Sequence, residues 1–204
     1  MTRYLMTHSL LSSWLHAMKS NPYEDLTTEK DPAEEFLRVL RREPTETTEA
    51  MRNGIEFEDM VTAIAAGADV NTDHNWYSAA EKAAQTVKGG VTQYKAKVEL
   101  EVSGVPILLY GRIDFLKAGV VIDTKFSKSY ERGKYIDSTQ HPTYLRLVPE
   151  AYEFMYLISN GTDVWTETYR RDETPDIEPV IADFFRYLTE KGLMEIYKKY
   201  WAAL

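Results

Sequence analysis

Two aspartates and a lysine stand out between Tyr110 and Tyr130, in YGRIDFLKAGVVIDTKFSKSY. Asp114 follows Ile113, and Asp123 follows the apolar run Val120-Val121-Ile122, so both carboxylates fall where the pattern reads as a buried β-hairpin. A carboxylate in such a place is costly unless it is paired, hydrogen-bonded or bound to a metal. One solution is structural, an ion pair with Arg112 or Lys125. The other is a hard divalent cation, Mg²⁺ or Mn²⁺, held by Asp114, Asp123 and the backbone carbonyl of Thr124 together with water. Beside such an ion Lys125 can orient or deprotonate a water that attacks a phosphodiester.

The geometry of the hairpin follows from its turn. A two-residue turn at Ala118-Gly119 sets Asp114 opposite Asp123 and Arg112 opposite Lys125. Asp114, Asp123 and Lys125 then share a face, with Ile113, Phe115, Ile122 and Thr124 on the other. Alanine is a poor first turn residue, so a one-residue shift or a bulge is the competing arrangement.

The elements around the hairpin read as a helical front, a β-rich middle and a helical tail. Apolar residues recur at helical spacing over Leu5–Met18, stopping before Asn21-Pro22. Asp31-Pro32-Ala33-Glu34-Glu35 is an N-cap, a proline and first-turn acids, predicting a helix to about Arg41. Further helices are expected over Thr47–Ala66, ended by Gly67, and over Asn75–Val87, closed by Gly89-Gly90. Strands are expected over Thr92–Val102, Val105–Lys117 and Val120–Phe126. A further pair, Phe154–Ser159 and Val164–Arg170, flanks the turn signal Asn160-Gly161. From Glu178 the chain returns to helix, interrupted near Gly192. No internal repeat or domain boundary shows, so residues 1–204 are expected to form one domain with its core at about 47–170.

Composition narrows the function classes. The chain has 204 residues, 44% of them hydrophobic, enough for a proper core. It has no cysteine, which excludes disulfides, thiolate zinc sites and a cysteine-ligated iron–sulfur cluster. No apolar run approaches membrane-spanning length, and the N-terminal stretch lacks a cleavage pattern, so a cytoplasmic protein with no membrane partner is expected. A net charge of −8 argues against a protein that coats nucleic acid by charge alone. Yet from Tyr110 to Arg146 seven Lys or Arg face four Asp or Glu, so the region of interest is locally basic. The four histidines are scattered, His8 and His16 lacking a nearby third ligand, and no G-x-S-x-G elbow or phosphate-binding G-x-x-x-x-G-K-[ST] loop occurs.

Asp114, eight intervening residues and then Asp123-Thr124-Lys125 resemble the PD-(D/E)XK nuclease motif, with Ile113 where the name has proline. Gln140-His141-Pro142-Thr143-Tyr144 is similar to the Q-x-x-x-Y motif of the RecB-type nucleases and their phage relatives. On a helix, Gln140 and Tyr144 lie on one face, with Pro142 tolerated in the first turn. Gly54-Ile55-Glu56-Phe57-Glu58 resembles that group's helix bearing a glycine and, four residues on, an acid; Thr7-His8-Ser9 resembles its first helix start. The matched order covers roughly residues 50 to 160, about half the chain.

The resemblance implies a restriction-endonuclease-like α/β (α+β) core, a mixed central sheet flanked by helices. It implies a Mg²⁺- or Mn²⁺-dependent deoxyribonuclease, an exonuclease or DNA-end processing enzyme in recombination, repair or phage DNA metabolism. Asp114, Asp123, Glu58 and the Thr124 carbonyl would hold the metal, and Lys125 would act on the attacking water. Gln140 and Tyr144 would position the strand, and Glu56 would be a solvated residue. Lys128, Arg132 and Lys134, in the loop KSYERGK, are candidate phosphate contacts or an ordinary solvated connection. Tyr130 and Tyr135 are candidates for stacking on bases. Linear DNA, single-stranded or with ends, is the expected partner, with a second copy of the chain or a recombination protein beside it. Two alternatives stand against this: a catalytically silent nuclease-fold module that binds DNA or protein, and an unrelated α/β binding protein whose aspartates are ion-paired.

Overall fold

The computed structural model describes residues 2–19 and 31–203, so Asn21-Pro22, the expected stop of the first helix, lies outside the described residues. The helix expected over Leu5–Met18 is divided. Arg3–Met6 form a strand, β1, and α1 runs over His8–Lys19. The apolar run Tyr4-Leu5-Met6 feeds straight into a helical pattern, and four residues are too few to betray a period of two. Thr7 caps the helix, its Oγ1 accepting from Leu10 N at 3.3 Å.

The next elements follow their capping signals. In α2 (Pro32–Leu40) the Asp31 carboxylate accepts from Ala33 N at 2.9 Å. Thr48 caps α3 (Glu49–Ala65), accepting from Met51 N at 3.2 Å, and α4 spans Tyr77–Val87. Three antiparallel strands come next: β2 (Val91–Val102), β3 (Val105–Lys117) and β4 (Val120–Phe126). Helix α5 (Gln140–Leu147) precedes the hairpin of β5 (Glu153–Ser159) and β6 (Val164–Arg170). The tail holds α6 (Glu178–Glu190), α7 (Met194–Tyr200) and a two-residue strand, β7 (Ala202–Ala203).

The result is a mixed α/β fold, a seven-stranded mixed sheet flanked by helices, ordered β6-β5-β4-β3-β1-β7 with β2 also on β3. Strand β3 is the spine. One edge pairs with β2 almost throughout, from Val102↔Val105 to Val91↔Leu116. The other edge is shared: β1 lies parallel to it over Tyr4↔Ile107 to Met6↔Leu109, and β4 antiparallel over Phe115↔Ile122 to Lys117↔Val120. Beyond Ile122, β4 stays with β5 in parallel, through Asp123↔Tyr156 and Lys125↔Ile158. Strands β1 and β7, from outside residues 47–170, therefore belong to the same sheet as the middle of the chain.

The turn between β3 and β4 has the expected two residues, Ala118 at φ 48° and Gly119 at φ 79°, the left-handed pair that matches strand twist. The register follows it for three pairs and then stops, so neither Asp114 with Asp123 nor Arg112 with Lys125 forms a ladder pair; Arg112 pairs with Lys95 of β2 instead. The expectation that Ile113 and Phe115 share a face also fails. Ile113 belongs to the core cluster that holds Val121, Tyr144 and Tyr156, whereas Phe115 and Ile122 belong to the one that holds Phe57 and Val61 of α3 and Ala80 of α4. The strand's alternation breaks at Asp114 between them, where the β2–β3 ladder skips a level. The larger core joins α1, α2, α5, α6 and α7 on the other side of the sheet, around Trp14, Phe36, Phe184 and Tyr197. Among the described residues no helix is long and apolar enough to cross a membrane.

Candidate active site

Between the end of β1 at Leu109 and the start of β4 pairing at Phe115, the β3 edge from Tyr110 to Asp114 has no strand beside it among the described residues. Helix α5 closes onto this opening. Tyr144 donates its hydroxyl to the Arg112 carbonyl at 3.0 Å. The approach requires Gly111: a Cβ there would lie 2.6 Å from Tyr144 Cε1 and 2.8 Å from Leu147 Cδ1.

The candidate acids meet at the same opening. Where the β3–β4 ladder ends, Asp114 Oδ2 takes the place of a backbone acceptor, receiving Thr124 N at 2.9 Å and Thr124 Oγ1 at 3.1 Å. Asp123 is 3% exposed. Its Oδ1 accepts from Gln140 Nε2, and Lys125 Nζ lies 2.6 Å from its Oδ2. The ammonium neutralises that oxygen without hydrogen-bond alignment, and Oδ2 has no aligned donor. Lys125 is partly exposed, so its charge can reach a substrate. Glu58 arrives from α3, half-buried, and accepts from Gln93 Nε2 at 2.5 Å. Glu56 faces elsewhere, its Oε1 3.1 Å from His74 Nε2.

Electrostatics tie the three acids together. Burial, then Asp123, then Glu58 push the Asp114 carboxyl up to about 8, against the hydrogen bond from Thr124 and the charge of Lys125. Burial raises Glu58 as well, opposed by the Gln93 hydrogen bond and reinforced by Asp123. Carboxyls raised in this way by neighbouring acids lack positive charge.

Gln140 and Tyr144 occupy one face of α5, as the four-residue spacing requires, but each is engaged with protein: Gln140 with Asp123, Tyr144 with the β3 backbone. The far end of the helix is capped by Arg171, whose guanidinium donates to the carbonyls of Ala151 at 2.6 Å and of Leu145 and Val148 at 2.7 Å.

The basic loop between β4 and α5 is built on a buried acid. Glu167 of β6 accepts from Tyr130 Oη at 2.7 Å, Gly133 N at 3.1 Å, Tyr135 N at 3.2 Å and Tyr169 Oη. Burial raises its pKa, and these hydrogen bonds outweigh burial and hold the carboxyl below its ordinary value. Tyr135 stacks on Tyr156 with centroids 4.4 Å apart, and Tyr130 leans on Trp165 at 5.6 Å. Lys128 and Arg132 are exposed, and Arg132 lines a hollow of about 340 Å³ with Tyr130, Trp165 and Thr166. Lys134 folds back, donating to Ser127 Oγ at 2.7 Å and the Ser129 carbonyl at 3.0 Å. A larger cavity, about 620 Å³ among Ser13, His16, Glu35, Arg38 and Met51, contains none of the candidate acids.

Two residues join the site that motif reading does not place there. His8, the first residue of α1, sets its ring edge-on to Tyr144 at 5.5 Å between centroids, and its carbonyl accepts from Thr139 Oγ1 at 3.1 Å. Burial pushes its pKa down to about 4, Asp123 opposing and Lys125 adding, so the imidazole is neutral near pH 7. The Thr7-His8-Ser9 stretch was its signal. Gln93 had none, because its partnership with Glu58 depends on the β2–β3 register. His141, in contrast, lies in the core, stacked on Tyr169 at 4.0 Å, and its role is packing.

The oxygens of Asp114, Asp123, Glu58 and the Thr124 carbonyl are the hard donors that Mg²⁺ and Mn²⁺ take, and the buried Asp123 Oδ2 still lacks an aligned donor. The chemistry of the set fits such an ion. Among the described residues, no three carboxylate or imidazole side chains are gathered closely enough to enclose one, and Glu58 is engaged by Gln93.

No family model matches the chain, and no curated protein matches it. Among solved structures, the one titled "Crystal structure of SSO0001" superposes with a TM-score of 0.55 over 93% of this chain and 77% of that one, at 15% identity. At that identity the likeness speaks for the fold alone.

Proposed function

We propose that the chain is a metal-dependent nuclease that hydrolyses DNA phosphodiester bonds, acting in the cytoplasm as an exonuclease or DNA-end processing enzyme. The observation that supports this reading is a buried Asp114 whose pKa is raised by that burial and by both Asp123 and Glu58, with the partly exposed Lys125 on Asp123. A structural ion pair needs one acid for its lysine; here Asp123 has Lys125, while Asp123 and Glu58 both raise the pKa of the buried Asp114.

Asp114, Asp123, Glu58 and the Thr124 carbonyl would hold Mg²⁺ or Mn²⁺. When bound, the ion supplies polarisation of the scissile phosphate and acidification of a coordinated water. Lys125 orients that water and stabilises charge developing on the phosphate. Gln140 fixes the Asp123 carboxylate, and Tyr144 fixes the distance of α5 from β3. Lys128 and Arg132 hold the strand on the loop side through phosphate contacts, which position without reading sequence.

The test is hydrolysis of end-labelled linear and closed circular DNA with Mg²⁺ or Mn²⁺, the wild type beside Asp123→Ala and Lys125→Ala. The expected outcome is metal-dependent cleavage of the linear substrate, lost in both variants, with the circle spared. A wild type that neither cleaves DNA nor binds either ion in calorimetry would overturn the reading.

A further inference from the structure

Four non-glycine residues have a left-handed backbone among the described residues: Arg42, Gln93, Ser103 and Ala118. Ser103 and Ala118 open two-residue hairpin turns, and Arg42 follows the end of α2. Gln93, at φ 52°, lies inside a strand. Its level is missing from the β2–β3 ladder: Thr92↔Phe115 and Tyr94↔Ile113 pair on either side, and the residue across the gap is Asp114. The register is the same before and after the gap, so the distortion does not serve to re-register the strands. A left-handed glutamine is strained in a way that a glycine would avoid. The side chain explains why glutamine stands there: its amide donates to Glu58 Oε1 at 2.5 Å, tying β2 to α3 across from Asp114.

We infer that Gln93 is a positioning residue for the acid centre, its strained backbone aiming the amide that orients Glu58 toward Asp114 and Asp123. The inference rests on the metal-centre reading and deepens it. With Oε1 engaged by the amide, Oε2 is the oxygen left to face a cation. The break in alternation at Asp114, dividing Ile113 from Phe115, is the same distortion seen from β3. One irregular level of the sheet thus sets two of the three acids.

The experiment measures Mn²⁺ affinity by calorimetry, and the melting temperature of the metal-free protein, for wild type, Gln93→Gly, Gln93→Asn, Glu58→Gln and the double variant Gln93→Gly/Glu58→Gln. Glycine relieves the strain; asparagine tolerates it but is one methylene too short to reach Glu58. Both Gln93 variants are expected to melt no lower than the wild type by more than a degree or two, yet to bind Mn²⁺ about 10–100-fold more weakly. The double variant is expected to bind no more weakly than Glu58→Gln, since both act through one carboxylate. Wild-type affinity in either folded Gln93 variant, or losses that add in the double variant, would overturn the assignment while leaving the metal centre standing. A wild type that binds no Mn²⁺ would overturn both.

Discussion

Gln140, the first residue of α5, donates its side-chain amide to Oδ1 of Asp123 on β4, seventeen positions earlier in the chain. With Lys125 on Oδ2, the bond holds a nearly inaccessible carboxylate from both sides. Gln140→Ala is therefore expected to leave the helical content unchanged by circular dichroism while lowering Mn²⁺ affinity about 10–100-fold, the usual effect of losing a partner behind a metal-binding carboxylate. Gln140→Glu, which sets a like charge against Asp123, is expected to lose more. Cleavage rates across a Mn²⁺ titration separate the two, since alanine can be rescued by added metal.

Asp114 gives a pH signature. Its folded carboxyl sits at about 8 and its ordinary value is 3.8, so the folded state retains a proton that the unfolded chain releases between them. Stability from this group is full below about pH 4 and lost as pH rises through about 8. Asp114→Asn keeps an acceptor for Thr124 and removes the titration. Thermal melts of the metal-free protein should show the variant more stable than wild type by a few degrees near pH 8, with the gain vanishing near pH 4. Saturating Mn²⁺ should reverse the order at pH 8, because the ion stabilises only the chain that binds it. A pH-independent difference would contradict this account.

Gly54 lies inside α3, one turn before Glu58, and an added Cβ would meet nothing within 4 Å among the described residues. Helix propensity alone makes Gly54→Ala stabilising by about 1 kcal/mol, or roughly 2–4 °C in a chain of this size. The bare helix surface beside Glu58 is where a phosphate backbone can pass close to the acids. Alanine is expected to raise the melting temperature and the KM for DNA together, with kcat little changed; a lowered melting temperature would rule out the open surface.

Glu167 holds the loop that carries Lys128 and Arg132. A glutamine amide in its place would offer one acceptor oxygen where the carboxylate offers two, so Glu167→Gln is expected to cost about 1–3 kcal/mol and loosen the loop. Limited trypsin digestion reads this directly: cleavage after Lys128 or Arg132 should be slow in the wild type and fast in the variant, and DNA affinity should fall with it.

The hairpin was legible because its information is local. Apolar runs and Ala118-Gly119 fix β3, β4 and the register of their first three pairs, and capping residues fix α2 and α3. What escaped is set across distance. β1 is four residues whose partner lies about a hundred positions on, so nothing near Tyr4 announces a parallel strand. The break in alternation at Asp114 lies across from the left-handed Gln93 of another strand, and alternation counted along β3 alone divides the faces wrongly at that point. Gln140 and Tyr144 are singled out by their resemblance to the Q-x-x-x-Y motif, but the work they do on Asp123 and Arg112 shows only once α5 is set against the sheet.

The shared edge of β3 also imposes a timetable. The β2–β3–β4 meander closes through short turns, whereas β1 must wait for residues 107–109 and β7 for β1. Loop-closure entropy makes the meander the early event in refolding and the docking of both chain ends the late one. Asp114, Asp123 and Lys125 are thus assembled before His8 is brought beside Tyr144. In pulse-labelled hydrogen exchange, the amides of Phe115 and Val121 should gain protection ahead of those of Leu5 and Met6.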